Sequence, residues 1–130
     1  MAASCAGRTA SLACLAMLAL VALAIVTGRL ALVTVGGGSM APALWPGDVC
    51  VVSALERPSV SDVVLYTPPG HRTRVLHRVY REEGDMFVTR GDANPIADRE
   101  PVPRSAVFGR VAAVLPAGRV IHRWQVASGR

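Results

Sequence analysis

The sequence contains no lysine, so all 14 of its basic side chains are arginines. Lysine is the residue that acts as a general base, forms Schiff bases and reaches the phosphates in nucleotide-binding loops. Arginine stays protonated in proteins and cannot take over proton transfer. Lysine-dependent mechanisms are therefore excluded, and any general base must be a histidine or a carboxylate.

Cysteine and charge are also scarce. The three cysteines are Cys5, Cys14 and Cys50, and no group of cysteines and histidines has zinc-ligand spacing, so we expect no metal and no cofactor. Only 18% of the residues are charged, 52% are hydrophobic and the mean hydropathy is +0.39. A 130-residue chain with this composition predicts one small folded domain, part of which contacts lipid.

The net charge of +5 does not point to nucleic acid. From Gly36 onward, the arginines are interspersed with all nine acidic residues and form no basic block. Electrostatic binding to phosphates usually needs basic residues clustered on one face. We therefore expect no nucleic-acid partner.

Residues 9–28 are twenty consecutive uncharged residues between Arg8 and Arg29. A helix of this length measures about 30 Å, the thickness of a bilayer's hydrocarbon core. This predicts a transmembrane helix; the alternative is a cleavable signal peptide, whose apolar core is usually about 7–15 residues. Because Arg8 and the terminal amine outweigh Arg29, we expect a single-pass cell-membrane protein with residues 1–8 as a cytoplasmic tail. A membrane between Cys14 and Cys50 would also prevent an intramolecular disulfide.

The remaining chain is predicted to be mostly β. Turn residues separate five short segments rich in valine and aromatic residues, which predicts an antiparallel sheet curled into a small open barrel or sandwich over residues 36–118. Residues 119–130 are expected to form a frayed C-terminal tail, although Trp124 beside Arg123 would suit a membrane surface. The predicted strands are Asp48 to Ser53, Asp62 to Tyr66, Arg74 to Tyr80, Met86 to Thr89 and Ala106 to Leu115.

Ser39 follows three consecutive glycines, Gly36 to Gly38. Glycines leave the backbone around this hydroxyl without steric cover, as a nucleophile approached by an extended peptide requires. The alternative is a flexible linker between helix and sheet that happens to contain a serine. A serine hydroxyl is a poor nucleophile until a base removes its proton.

The candidate bases are three histidines and the carboxylates. His71 adjoins a Pro-Pro-Gly turn and His122 lies in the predicted tail, so both are expected to be solvated. Strand alternation places His77 on the face of Val75 and Val79. Such a histidine is either a core residue with a satisfied partner or a base held in a dry cleft.

A serine–histidine pair works best when a carboxylate orients the imidazole. The segment from Arg90 to Glu100 supplies Asp92 and Asp98 in a turn-rich loop. For Asp92 the alternative is ordinary turn chemistry with its own backbone. For Asp98 the alternative is a surface salt bridge with an arginine.

Taken together, four motifs in order, between Gly36 and Ala112, resemble those of the type I signal peptidases. Most bacterial members use a serine–lysine dyad, and the endoplasmic-reticulum and archaeal type uses serine and histidine. Because His77 occupies the position of the basic residue before Arg-Val, this chain resembles the histidine type. The motifs are Ser39-Met40 with Pro42, Leu44 and Gly47-Asp48; Val75-Leu76-His77-Arg78-Val79; Thr89-Arg90-Gly91-Asp92-Ala93-Asn94 with Asp98; and Gly109-Arg110-Val111.

The resemblance implies a role for each site residue. Ser39 would be the nucleophile, His77 the general base and Asp98 the carboxylate that orients His77, with Asp92 in a supporting role. Backbone amides near Ser39 and Met40 would bind the oxyanion, because glycine stands two residues before the nucleophile, where some members have a serine. The expected pockets for small substrate side chains are lined by Val49, Val51 and Val75.

The fold implied by the resemblance is a transmembrane helix followed by a curled β domain outside the membrane. The implied function is a membrane-anchored serine endopeptidase that removes N-terminal signal peptides from exported preproteins after small residues. Expected partners are preprotein signal peptides, membrane lipid and the protein-export machinery. One alternative is a non-catalytic, membrane-anchored β module, including an inactive family member. A self-cleaving repressor-type peptidase is disfavoured by the missing lysine and by the predicted anchor.

Overall fold

The chain forms a long helix, a seven-stranded sheet and a short second helix in a computed structural model that describes residues 3–127. The strands are short and valine-rich, as expected for segments that pack one face against a core. The elements are α1 (Ala3–Val26), β1 (Leu30–Thr34), β2 (Val49–Ser53), β3 (Val63–Tyr66), β4 (Val75–Glu83), β5 (Met86–Arg90), β6 (Val102–Pro103), a 3-10 turn (Arg104–Ala106), β7 (Val107–Leu115) and α2 (Ala117–Ala127).

Helix α1 ends in a glycine cap. The Arg29 amide donates to the Ala24 carbonyl and the Gly28 amide to Ile25, with Gly28 at φ +70°, the left-handed geometry that closes many helices. The segment 9–28, predicted to be a transmembrane helix, is therefore helical up to Val26, and its last two residues belong to this cap. Among the described residues, no helix combines the length and the apolarity needed to cross a membrane.

The sheet is antiparallel throughout, with strand order β1-β2-β7-β3-β4-β5-β6. The ladder shifts register within β2–β7, β3–β7 and β4–β5, and such irregularities bend a sheet and increase its twist. The prediction of a mostly β fold with a curled antiparallel sheet is confirmed. All five predicted strands are present, and β1 and β6 are additional.

Strand β1 corrects the predicted start of the β region. Its residues, Leu30–Thr34, pair antiparallel with β2 over the full length of both strands. The sheet therefore begins before residue 36. Strand β1 is not apparent from the sequence, because its apolar residues continue the apolar composition of α1.

The core consists of two clusters of buried side chains, and both contain mainly aliphatic residues. Phe87, Val64 and Val79 of the second cluster are essentially inaccessible to solvent. On β3, Leu65 belongs to the first cluster and its neighbours Val64 and Tyr66 to the second, which places the two clusters on opposite faces of the strand. The first cluster comprises Val35, Met40, Leu44, Cys50, Val52, Leu65 and Leu76; the second comprises Val64, Tyr66, Val79, Phe87 and Val102.

Helix α2 corrects the prediction of a frayed tail from residue 119. The carboxylate of Asp48, fully buried, accepts hydrogen bonds from the amides of Gly118 (2.9 Å) and Arg119 (3.3 Å). A carboxylate at a helix N-terminus satisfies free amides and complements the helix dipole. The anchor comes from a residue 70 positions earlier in the chain, so local propensity could not reveal it.

The described cysteine side chains are free thiols. Cys14 is exposed on α1, and Cys50 is buried in β2. Burial, with a smaller contribution from the charge of Asp48, raises the pKa of the Cys50 thiol. Cys50 is thus an unreactive core residue at neutral pH, and the side chain of Cys5 lies outside the described residues.

Candidate active site

Ser39 lies on the loop between β1 and β2, at the point where the chain leaves the sheet edge. The loop closes on itself, because the Val35 amide donates to the Asp48 carbonyl (2.8 Å) and the Gly47 amide to the Val35 carbonyl (2.8 Å). Gly36 to Gly38 are exposed, and an added Cβ would meet nothing within 4 Å. Ser39 is therefore held in a fixed loop whose approach from solvent is open.

His77 lies near the start of β4 and is buried, with 9% of its surface exposed. Its Nε2 is 3.2 Å from the Oγ of Ser39, and its Nδ1 is 2.7 Å from Oδ2 of Asp98. A carboxylate at Nδ1 fixes the tautomer in which Nδ1 carries the proton and Nε2 accepts. The imidazole thus presents a basic nitrogen to the Ser39 hydroxyl.

Asp98 is positioned by strand β5. Its amide donates to the Thr89 carbonyl (2.8 Å), and its Oδ2 accepts a hydrogen bond from the Thr89 hydroxyl (2.7 Å). The Tyr66 hydroxyl lies 3.2 Å from the same oxygen. Several hydrogen-bonding groups converge on one carboxylate oxygen, which fixes the position of Asp98.

Tyr66 is a buried donor at the back of this site. Burial raises its pKa to about 12, with the negative charge of Asp98 acting in the same direction and the hydrogen bond from Thr89 acting against it. Its hydroxyl lies 3.0 Å from Oγ1 of Thr89 and 3.4 Å from Nδ1 of His77. Tyr66 therefore stays protonated well above neutral pH and continues to donate towards Asp98.

Asp92 is held elsewhere. Its carboxylate forms a two-pronged pair with Arg78, with Nε to Oδ1 at 2.8 Å and Nη2 to Oδ2 at 2.6 Å. This hydrogen bonding raises the pKa of the Arg78 guanidinium, with the charges of Asp92 and Asp62 adding to it and desolvation opposing it. Arg78 also donates to the Ser61 carbonyl (2.7 Å), so Asp92 ties its loop to β4 and to the turn before β3.

The turn that begins at Gly91 packs directly against the Ser39 backbone. The Ala93 amide donates to the Ser39 carbonyl (2.9 Å). A Cβ added at Gly91 would lie 2.6 Å from that same carbonyl oxygen and 2.8 Å from the Asn94 amide nitrogen. Only glycine fits this approach, so the loop that supplies Asp98 also fixes the position of Ser39.

Met40 is buried among the first cluster, with 1% of its surface exposed. Its carbonyl accepts from the Leu44 amide (2.8 Å), and a cis peptide bond joins Ala41 to Pro42 just after it. Within residues 3–127, the amides of Ser39 and Met40 donate to no backbone carbonyl. Neither amide is therefore engaged by the surrounding backbone.

A cleft of about 350 Å³ opens beside Ser39. It lies between the end of β1 with its following glycines and the segment that leads into β4. Val75 lines it as expected, whereas Val49 and Val51, on β2, are not among its lining residues. The lining residues are Val33, Thr34, Val35, Gly36, Gly37, Ser39, Met40, Leu65, Thr73, Arg74, Val75 and Leu76.

The structure thus brings Ser39, His77 and Asp98 together and places Asp92 in a supporting ion pair. His71 is exposed in the loop before β4, and the side chain of His122 lies outside the described residues. No group of three potential ligands that could hold a metal ion is present in the part of the chain that the structure describes.

Two residues of the site, Tyr66 and Thr89, were missed by the sequence analysis. Both lie at strand positions whose residue types are ordinary for β structure. Residue type alone does not indicate the carboxylate that they share. The available signal was a hydroxyl within each of two predicted strands, because a hydroxyl that becomes buried needs a hydrogen-bond partner.

Comparison with known proteins places this geometry in context. The family model "Signal peptidase, peptidase S26" matches residues 8–102. Similar proteins include the signal peptidase complex catalytic subunit SEC11 of Candida tropicalis, 38% identical over 72 residues, and those of Lodderomyces elongisporus and Yarrowia lipolytica, each 36% identical over 72 residues. Each match covers 52% of this chain and 42–43% of the relative, so the chain spans less than half the length of these relatives.

Proposed function

This chain belongs to the signal peptidase family, peptidase S26, and on that premise we propose that it is a serine endopeptidase that removes N-terminal signal peptides from exported preproteins. The observation that carries the proposal is the continuous path from Ser39 Oγ to His77 Nε2 (3.2 Å) and from His77 Nδ1 to Asp98 Oδ2 (2.7 Å). The similar SEC11 proteins are named as catalytic subunits of a signal peptidase complex.

In the proposed acylation step, the Ser39 oxygen attacks the carbonyl carbon of the scissile peptide bond. Its proton passes to Nε2 of His77, which becomes imidazolium, and Asp98 stabilises that charge without itself taking the proton. The tetrahedral intermediate then collapses. The C–N bond breaks, Nε2 returns the proton to the leaving amine, and an ester links the signal peptide to Ser39.

In the proposed deacylation step, His77 acts again as the base. Nε2 removes a proton from a water molecule, which attacks the ester carbonyl. The C–O bond to Ser39 breaks, the proton passes from Nε2 to the Ser39 oxygen, and the signal peptide leaves as a carboxylate. Proton transfer of this kind typically contributes about a hundred- to ten-thousandfold to the rate.

The negative charge on the tetrahedral oxygen requires donors. We assign this role to the open amides of Ser39 and Met40. The exposed glycines Gly36 to Gly38 leave room for a carbonyl oxygen to approach these amides. Removing one such donor from a serine protease typically lowers kcat about a hundred- to a thousandfold.

The substrate is proposed to bind as an extended strand along the cleft beside Ser39. Edge strand β1 offers backbone groups for such pairing, and the floor of the cleft is formed by the buried side chains of Met40, Leu65 and Leu76. A shallow apolar floor of this kind admits small side chains and excludes large ones. This accounts for the expected preference for small residues before the cut.

Membrane association is a second part of the proposal. Apolar side chains cover α1 from Leu12 to Val26, and most are about half exposed or more. An apolar surface of this extent on a single helix is suited to lipid contact. We place the β domain outside the cell, with residues 1–8 in the cytoplasm, where exported substrates and the export machinery would meet it. A protease-protection assay on vesicles of known orientation tests this placement.

A cleavage assay tests the proposed function. A preprotein with alanine at the positions one and three before the cut is incubated with the reconstituted protein, and products are identified by mass spectrometry. Ser39→Ala and His77→Ala are expected to lower kcat/KM by at least about a thousandfold. The matched controls are Ser105→Ala and His71→Ala, which change an exposed serine and an exposed histidine away from the site.

The alternative function is a non-catalytic β module that binds a partner. It predicts the same fold but no activity that depends on Ser39. Cleavage at the wild-type rate by both Ser39→Ala and His77→Ala, or no cleavage by the wild type under any condition that supports binding, would reject the peptidase proposal.

A further inference from the structure

Helix α2, Ala117–Ala127, is strongly amphipathic. Its side chains Val120, Ile121 and Trp124 are exposed to 65%, 54% and 66%. Positions i, i+1 and i+4 lie on one side of a helix, so these three side chains form one apolar surface, which we call the α2 face. Exposed apolar surfaces of this kind usually mark interaction sites.

The charge of α2 distinguishes between possible partners. The helix contains Arg119 and Arg123 and no acidic residue, within a chain of net charge +5. A basic amphipathic helix with tryptophan on its apolar side has the composition of helices that lie in the plane of a membrane interface. Tryptophan is also enriched at this depth of the bilayer. These features favour an anionic lipid surface over a protein surface.

The N-terminus of α2 is attached to the loop that carries Ser39. Buried Asp48 accepts from the amides of Gly118 and Arg119 through Oδ1, and from the amide of Trp45 (2.9 Å) through Oδ2. The Arg119 guanidinium also donates to the Ala43 carbonyl. A displacement of α2 would therefore move the loop between Ser39 and β2.

The two helices join opposite ends of the same strands. In β1, Leu30 follows α1 and pairs with Ser53, whereas Thr34 pairs with Val49, which in turn pairs with Leu115 next to α2. A five-residue strand is about 17 Å long. Contact of both helices with one membrane would therefore lay these strands along its surface, with the Ser39 loop at the end near α2.

We propose that the α2 face inserts into the headgroup region of an anionic membrane, with Arg123 against lipid phosphates, and holds the Ser39 loop at the membrane surface. Arg119 is already engaged with Ala43 and Asp48, so Arg123 is the free cation of the described part of the helix. The proposal goes beyond peptide cleavage and does not depend on it, because lipid contact needs no turnover.

Tryptophan quenching by spin-labelled lipid tests the proposal on the full chain. The Trp45→Phe variant is reconstituted into phosphatidylcholine vesicles containing phosphatidylglycerol, with the spin label close to the headgroup. Trp124 emission is expected to shift to the blue and to be quenched at least about twofold. Arg123→Gln is expected to weaken the partitioning of α2 about fivefold, and a further variant, Ile121→Glu, to abolish quenching.

The matched control is Val60→Glu, which places the same charge at an exposed apolar residue outside α2, in the segment between β2 and β3. It is expected to leave quenching unchanged. Absence of quenching in anionic vesicles, as expected if a protein partner covers the α2 face, would overturn the proposal. Equal quenching in the Ile121→Glu and Val60→Glu variants would overturn it as well. Because no outcome requires cleavage, the result is independent of the proposed function.

Discussion

The two aspartates of one loop have different partners. Asp98 lies 2.7 Å from His77, whereas Asp92 is paired with Arg78. Both are carboxylates on a turn-rich segment, so their residue type does not distinguish them. Their partners do: in the proposed mechanism Asp98 neutralises the imidazolium of His77, whereas Asp92 neutralises an arginine that is charged at all times.

Asparagine at position 98 is expected to affect catalysis, and asparagine at position 92 is expected to affect stability. Asp98→Asn should lower kcat/KM about a thousand- to ten-thousandfold, because it removes the carboxylate that fixes the tautomer of His77. Asp92→Asn should leave kcat/KM nearly unchanged and lower the free energy of unfolding by about 1–2 kcal/mol. Peptide cleavage and urea unfolding measure the two effects. The reverse pattern would assign the orienting role to Asp92.

The phenol of Tyr66 makes stability depend on alkaline pH. Its pKa is about 12 in the folded protein and close to 10 in the unfolded chain. The fold therefore binds this proton more tightly, so the contribution is complete below pH 10 and is lost as the pH rises towards 12. One pKa unit corresponds to about 1.4 kcal/mol. Between pH 10 and pH 12, the free energy of unfolding of the wild type should therefore fall by roughly 2–3 kcal/mol more than that of Tyr66→Phe.

Urea unfolding of the wild type and of Tyr66→Phe, at pH 9 and near pH 12, measures this difference in the free energy of unfolding. Tyr80→Phe, which changes an exposed tyrosine, is the control and should follow the wild type. Parallel stability curves for the wild type and Tyr66→Phe would contradict the buried position of this hydroxyl.

At the scale of elements, close backbone contacts hold the loops around the sheet. The loop that carries Ser39 contacts the turn at Gly91 and helix α2 at Gly118. At Gly118 an added Cβ would lie 2.1 Å from the Pro46 carbonyl oxygen and 2.7 Å from the Asp48 amide. Both obstacles are backbone atoms, which cannot rotate away as a side chain could.

Gly118→Ala is therefore expected to separate α2 from this loop. We expect a loss of about 1–3 kcal/mol in the free energy of unfolding and faster hydrogen exchange over residues 117–127. Gly36→Ala is the matched control, since an added methyl there meets nothing within 4 Å. Equal stability and equal exchange in the two variants would show that α2 is not held as described.

At the scale of the whole molecule, the proposed membrane association would give the peptidase and its substrate a common surface. Confinement raises the effective concentration of one for the other without any new contact at the active site. The exposed apolar side chains of α1 and the α2 face are the parts of the chain suited to this role.

Substrates that share the membrane should accordingly be cleaved faster. A peptide that spans the cut site and carries an apolar segment is expected to show kcat/KM at least about a hundredfold above the same peptide without that segment, in proteoliposomes. In detergent micelles in large excess, the two values should approach each other. Equal values in proteoliposomes would contradict a membrane-confined reaction.

Much of the fold and the main residues of the candidate site could be predicted from the sequence. The five valine-rich strands could be predicted from residue alternation and turn residues. Because lysine is absent, His77 could be identified as the candidate base, on the apolar face of a predicted strand. Local patterns could not reveal α2, because the group that stabilises it is the distant Asp48. The convergence of Tyr66 and Thr89 on Asp98 could not be predicted either, because it depends on a strand pairing that a single sequence does not specify.

The central claim is that Ser39 attacks the peptide with His77 as its base, and trapping the nucleophile tests it most directly. A signal-sequence peptide ending in a phosphonate ester is incubated with the protein, and tandem mass spectrometry locates the covalent adduct. We predict an adduct on Ser39 in the wild type and in His71→Ala, and at least about a hundredfold slower formation in His77→Ala. An adduct on another residue, or labelling of Ser39 at the same rate without His77, would contradict the account.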